Sequence, residues 1–161
     1  MPNVNTVHIN RPGEIAMDLL LLALLLVTGF VGCAEFASVS LVHPVIRRLP
    51  VPSQVLMESG LLRTYGRVMP IGMTAAAVLA GLGAARLGNP AFTLAAIVLT
   101  IALVVTVAGN VPINLWQSRV PDGEVPEGFI PMRRRWDVYQ AIRGSLQLIG
   151  FVLVAIGTAS L

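Results

Sequence analysis

Four apolar runs alternate with polar stretches along the chain. A helix rises ~1.5 Å per residue, and a bilayer core of about 30 Å needs ~20 apolar residues to cross. The runs therefore read as membrane spans, placed at about 15–42, 69–87, 91–110 and 140–161. His43-Pro44 and Arg47-Arg48-Leu49-Pro50 mark the exit of the first, because residues before proline leave the helical region. Ser53 to about Arg67 mixes Val55, Leu56, Leu62 and Tyr65 with Glu58, Arg63 and Arg67, the pattern of a short interfacial helix. Gly88-Asn89-Pro90 is a tight turn that makes spans two and three an antiparallel hairpin. Gln117 to Pro131 is a loop, and Arg133-Arg134-Arg135-Trp136 opens the last helix. Met1 to Gly13 is polar, with two prolines, and reads as loose or lying at the surface. The expected fold is an all-α integral membrane four-helix bundle, with a short interfacial helix between spans one and two. Residues 1–161 form one transmembrane domain.

Composition supports the membrane reading. Charged residues make up 12% of the chain, about half of the roughly 25% usual for soluble domains. The net charge of +3 comes entirely from arginine. Arg47, Arg48, Arg63 and Arg67 follow span one, and Arg119, Arg133, Arg134 and Arg135 precede span four. Basic loops stay on the cytoplasmic side, which puts both large loops inside and both termini outside, in the cell's inner membrane. Arginine beside apolar spans reports orientation, so nucleic acid is not an expected partner. Membrane lipid and a lipophilic small molecule are, and an oligomer stays open. Cys33 has no cysteine to pair with, which leaves neither a CxxC pair nor a thiolate cluster.

Polar residues inside the apolar runs carry the functional signal. Glu35 lies eight residues before His43, or ~12 Å inside the end of span one, and an ionisable group at that depth marks a functional site by default. Its plain alternative is an interhelical ion pair; either way Arg143 or Gln147 is the expected partner, with Glu35 facing the cavity. His43 suits a general base, or else caps the helix end. Asn110 and Asn114, one turn apart across Pro112, offer two carboxamides to one neighbour, and Pro112 is expected to kink the helix between them. The alternative there is a polar helix end with Trp116 as an interfacial anchor. Trp136, Gln140, Arg143 and Gln147 recur at helical spacing on one face. All of these groups fall at the cytoplasmic end of the spans, so they point to one shared polar cavity. Glu35, His43, Asn110, Asn114 and Arg143 are the candidate catalytic residues. Trp116, Trp136, Gln140 and Gln147 are the candidate substrate contacts.

Taken together, His43-Pro44, Asn110-Val111-Pro112-Ile113-Asn114 with Trp116, and Arg135-Trp136 followed by Arg143 resemble the anthrone oxygenase-like family of small four-span membrane proteins. The resemblance runs from about Leu19 to Leu161. It implies that Asn110, Asn114, Trp136 and Arg143 are recurring polar residues of the family, and that the activity is oxidation of an anthrone to an anthraquinone in a polyketide pathway. A flat, greasy aromatic with an acidic C–H needs a base, His43 or Glu35, and donors to its enolate oxygen, Arg143, Asn110 and Asn114. No nucleotide loop or haem ligand pair is present, so no cofactor is expected. A metal held by His43, Glu35 and an asparagine oxygen stays open. A membrane cyclase or isomerase using the same residues is the alternative enzyme, and a non-enzymatic lipid- or small-molecule-binding protein the alternative outside enzymes.

Overall fold

A computed structural model describes residues 12–121 and 124–161. The expectations for Met1 to Arg11 and for Asp122-Gly123 lie outside the described residues. Among the described residues every regular element is helical. The order is α1 (Pro12–Ala37), a π-helical turn (Ser38–Val42), α2 (His43–Ile46), α3 (Val51–Leu87), α4 (Pro90–Val105), a second π turn (Thr106–Asn110), α5 (Val111–Gln117) and α6 (Phe129–Ala159). Joined end to end, these give four runs long and apolar enough to cross a membrane: Gly13–Ile46, Val51–Leu87, Pro90–Gln117 and Phe129–Ala159. Leu26, Phe30, Ile71, Val78, Val104 and Ile156 point outward from them. An apolar exterior of this kind suits lipid rather than water, and the chain is a multi-pass membrane protein built as an all-α four-helix bundle.

The helices form a ring in which α1 packs on α3 and α6, and α4 packs on α3 and α6. Lipid tails are as apolar as leucine, so close packing rather than hydrophobic burial must hold such a bundle together. Its tight end is the α3–α4 hairpin. Gly88 takes a left-handed φ of 63°, which glycine adopts without strain. Asn89 then caps α4 by accepting from the Ala91 N–H at 2.9 Å, with Pro90 in the first turn. Above the turn, Leu24, Ala76, Ala80, Phe92, Ala95, Leu99 and Val154 are fully buried. Truncating a buried phenylalanine such as Phe92 costs about 3–5 kcal/mol in a packed core.

The helices depart from the sequence reading at three places, each with a physical cause. The chain does not leave the helix at His43-Pro44. The π turn closes with the His43 N–H on Ser38 O, so Pro44 enters the next turn without disrupting an α-type bond, and the exit comes after Ile46. Pro112 is accommodated in the same way. The Val111 N–H reaches Thr106 O, and the helical run continues to Gln117, beyond the expected end of span three at about 110. Finally, Ser53 to Arg67 is helical as expected, but it is continuous with span two rather than a separate interfacial piece. Val55, Glu58, Met69, Met73, Ala76, Ala80 and Gly83 keep one buried stripe across the expected break. The exposed Arg63 and Arg67 occupy another face of the same helix.

Candidate functional site

At the end away from the hairpin, α3 and α5 scarcely touch. There the bundle opens into a cavity of about 270 Å³, close to the lower end of the roughly 300–1,000 Å³ usual for small-molecule sites. Leu61, Leu62, Met69, Pro70, Val111 and Leu115 supply apolar wall. His43, Glu58, Tyr65, Asn114, Gln140 and Arg143 bring polar groups to it. A greasy chamber with a few convergent polar groups is the usual form of a ligand site.

Two buried polar assemblies build the wall. The first centres on Glu35, which has no exposed surface. Its Oε2 accepts from Gln140 Nε2 and from Arg143 Nη2, each at 2.7 Å. Gly144 makes this possible, since a Cβ there would lie 3.1 Å from the Glu35 carbonyl oxygen. With glycine at that point α1 and α6 approach closely enough for Gln140, one turn before it, and the adjacent Arg143 to meet Glu35. Arg143 uses only Nη2 on the carboxylate, and its Nε has no hydrogen-bond partner. Glu35 itself does not line the cavity; Gln140 and Arg143 stand between.

The second assembly centres on Arg133, and each guanidinium nitrogen is committed. Nη2 bonds His43 Nδ1 at 2.8 Å, Nε bonds Asp137 Oδ1 at 3.1 Å, and Nη1 is ion-paired with Glu58 Oε1. Arg47 closes the network on Asp137 Oδ2 at 3.1 Å. The Trp136 ring lies under the Arg133 guanidinium, 5.0 Å from its centre, and meets the His43 ring edge-on at 4.8 Å. Trp136 Nε1 in turn donates to Asn114 Oδ1 at 2.9 Å. With that oxygen occupied, the Asn114 amide N–H₂ is left as its donor toward the chamber.

Six of the nine residues nominated from sequence thus belong to these assemblies: Glu35, His43, Asn114, Trp136, Gln140 and Arg143. All but Glu35 line the cavity. The other three do not. Trp116 sits two residues beyond Asn114, about 200° around α5, so it turns away from the chamber. Asn110 and Gln147 are fully buried, with neither amide atom bonded. The two asparagines do not share a neighbour as expected, because Asn110 closes a π turn while Asn114 lies in the α-helix after it. Gln147 lies one turn deeper, where its backbone carbonyl faces Gly32, and Gln140 takes the place beside Glu35.

Sequence reasoning passed over Glu58 and Arg133. The sequence pattern places Glu58 in an interfacial helix and Arg133 in the basic loop before span four. Of the three consecutive arginines, Arg134 and Arg135 are exposed and only Arg133 is buried. Extending the Trp136–Gln140–Arg143 face back by one step reaches Arg133, and the Val55-to-Gly83 stripe contains Glu58. Among the described residues no three His, Cys, Asp or Glu side chains group to hold a metal ion. Of the groups named for that role, His43 bonds Arg133 and Glu35 bonds Gln140 and Arg143.

A family model described as Anthrone oxygenase matches residues 61–153, from the first third of α3 through most of α6. No curated protein and no solved structure matches the chain.

Proposed function

The chain belongs to the anthrone oxygenase family, and on that premise we propose that it is a membrane oxygenase acting on a lipophilic, anthrone-like aromatic. The observation that carries this reading is the cavity itself, an apolar chamber inside a membrane bundle with polar donors fixed on one wall. A flat aromatic dissolved in the bilayer enters between α3 and α5, where the bundle is open.

The chemistry asked of the chain is modest. The ketone oxygen of the substrate accepts from Arg143 and from the Asn114 amide, which stabilises the enolate as its methylene carbon loses a proton. Glu58 takes that proton. Among the described residues it is the one carboxylate that lines the chamber. Glu58 Oε1 is paired with Arg133, so its other carboxylate oxygen is the one offered to the substrate. Position favours it over the two sequence candidates, since Nδ1 of His43 is held by Arg133 and Glu35 sits behind the wall. Dioxygen then adds to the enolate carbon, and loss of water from the hydroperoxide leaves the quinone. One O₂ enters, one oxygen atom stays as the new carbonyl, and the other leaves as water. Glu35 is a positioning residue that holds Arg143 and Gln140 in place.

The test is purified protein in lipid nanodiscs, supplied with an anthrone under isotopically labelled dioxygen. A quinone carrying one labelled oxygen supports the reading. A rearranged, unlabelled product would instead make the protein an isomerase or cyclase. By the arginine distribution, the chamber opens on the cytoplasmic side, with both termini outside.

A further inference from the structure

The arginine on His43 decides what that histidine can do. A guanidinium carries only donors, and Arg133 Nη2 lies 2.8 Å from Nδ1. Nδ1 must therefore carry the lone pair, and the proton of the neutral ring sits on Nε2. Arg133 cannot turn away to release it, because Glu58 and Asp137 hold its other two nitrogens. Nor is there a carboxylate free to accept from a protonated Nδ1. Glu58 and Asp137 balance Arg133 and Arg47, so a charged His43 would add a cation against Arg133 with nothing to offset it. Trp136 fixes the ring plane edge-on. His43 is only 3% exposed, yet it lines the cavity, and Nε2 has no protein partner among the described residues.

We infer that His43 is a fixed hydrogen-bond donor, its tautomer set by Arg133, and that its Nε2–H binds a carbonyl oxygen of a flat aromatic ketone in the chamber. This rests on the anthrone reading for its ligand class, and it deepens that reading by adding a further donor to those of Arg143 and Asn114. His43 then acts as an electrophile. Arg133 is a positioning residue that acts on the substrate through His43.

Nitrogen-15 NMR of histidine-labelled protein in bilayers tests both halves. The chain has two histidines, so His8→Gln leaves the His43 signals alone. At neutral pH the expected spectrum has a bare Nδ1 and a protonated Nε2, and adding 9,10-anthraquinone moves the Nε2–H resonance. A protonated Nδ1 or a doubly protonated ring overturns the inference. A correct tautomer with no response to anthraquinone overturns its ligand half. Arg133→Met is expected to mix the tautomers, and the wild-type spectra decide the matter even if that variant does not fold. In oxygen uptake, His43→Gln keeps a donor without a base, and is expected to lose about tenfold where His43→Leu loses ~10²–10³. Equal loss in the two variants would contradict the donor role. Protein that shifts with anthraquinone but consumes no oxygen would leave this inference standing and remove the oxygenase reading.

Discussion

The indole N–H of Trp136 donates to Asn114 Oδ1 at 2.9 Å, and that bond fixes which end of the Asn114 amide faces the chamber. With Oδ1 occupied, the amide nitrogen is the group offered to a ligand. Asn114→Ala should lower kcat by ~10²–10³, the usual loss on removing one oxyanion donor. Asn114→Asp should fare no better, because it replaces a donor with acceptors only. Turnover at equal amounts of monodisperse protein checks this, and activity falling only in step with folded protein would make Asn114 structural.

Glu58→Gln should reduce kcat by about 10²–10⁴, the usual contribution of a general base, with little change in KM. The same substitution weakens the ion pair to Arg133, so thermal stability must be measured alongside. Glu35→Gln offers the contrast. It leaves both hydrogen bonds possible, and its effect should be smaller than that of Glu58→Gln if Glu35 only positions its partners. The reverse ranking would return the base role to Glu35.

Glu35 and Arg143 form a buried pair, with side chains 0% and 8% exposed. Removing one partner of such a pair costs about 3–5 kcal/mol, because the other charge stays buried alone. Arg143→Met should destabilise the protein strongly, and adding Glu35→Leu should recover part of the loss. A double-mutant cycle on thermal unfolding measures the coupling. Simple additivity would mean that the two charges do not depend on each other.

What could be read from the sequence followed from where its signals lie. Apolar run length identified the four spans, and of the polar face repeating at 136, 140, 143 and 147 the first three lie on the wall. A carboxylate deep in an apolar run found Glu35. Its partner Arg143 was legible as chemistry, whereas Gln140 beside it depended on register across two helices. Pro44 and Pro112 misled, because the sequence does not announce a π turn that absorbs a proline. Glu58 and Arg133 were hidden by charged neighbours: Arg63, Arg67, Arg134 and Arg135 give their segments the look of solvated surface. One helical face separates the buried charge from the exposed ones, and reading that face requires knowing that α3 is unbroken.

Topology is open to a direct check. With Cys33 replaced by serine, single cysteines placed in the Arg47–Pro50 exit and in the Ser118–Pro121 segment should react with impermeant reagents only from the cytoplasmic side. A cysteine at the C-terminus should react from outside. Labelling of the C-terminus from the cytoplasm would invert the orientation.

Oxygen consumption with an anthrone bears most directly on the central claim that this chamber performs an oxygenation. Wild-type protein in nanodiscs should take up one O₂ for each anthraquinone formed, and Arg143→Lys, which keeps the charge but not the planar guanidinium, should slow uptake at unchanged stoichiometry. Disappearance of the anthrone with no oxygen uptake, or uptake no faster than in empty nanodiscs, would contradict it.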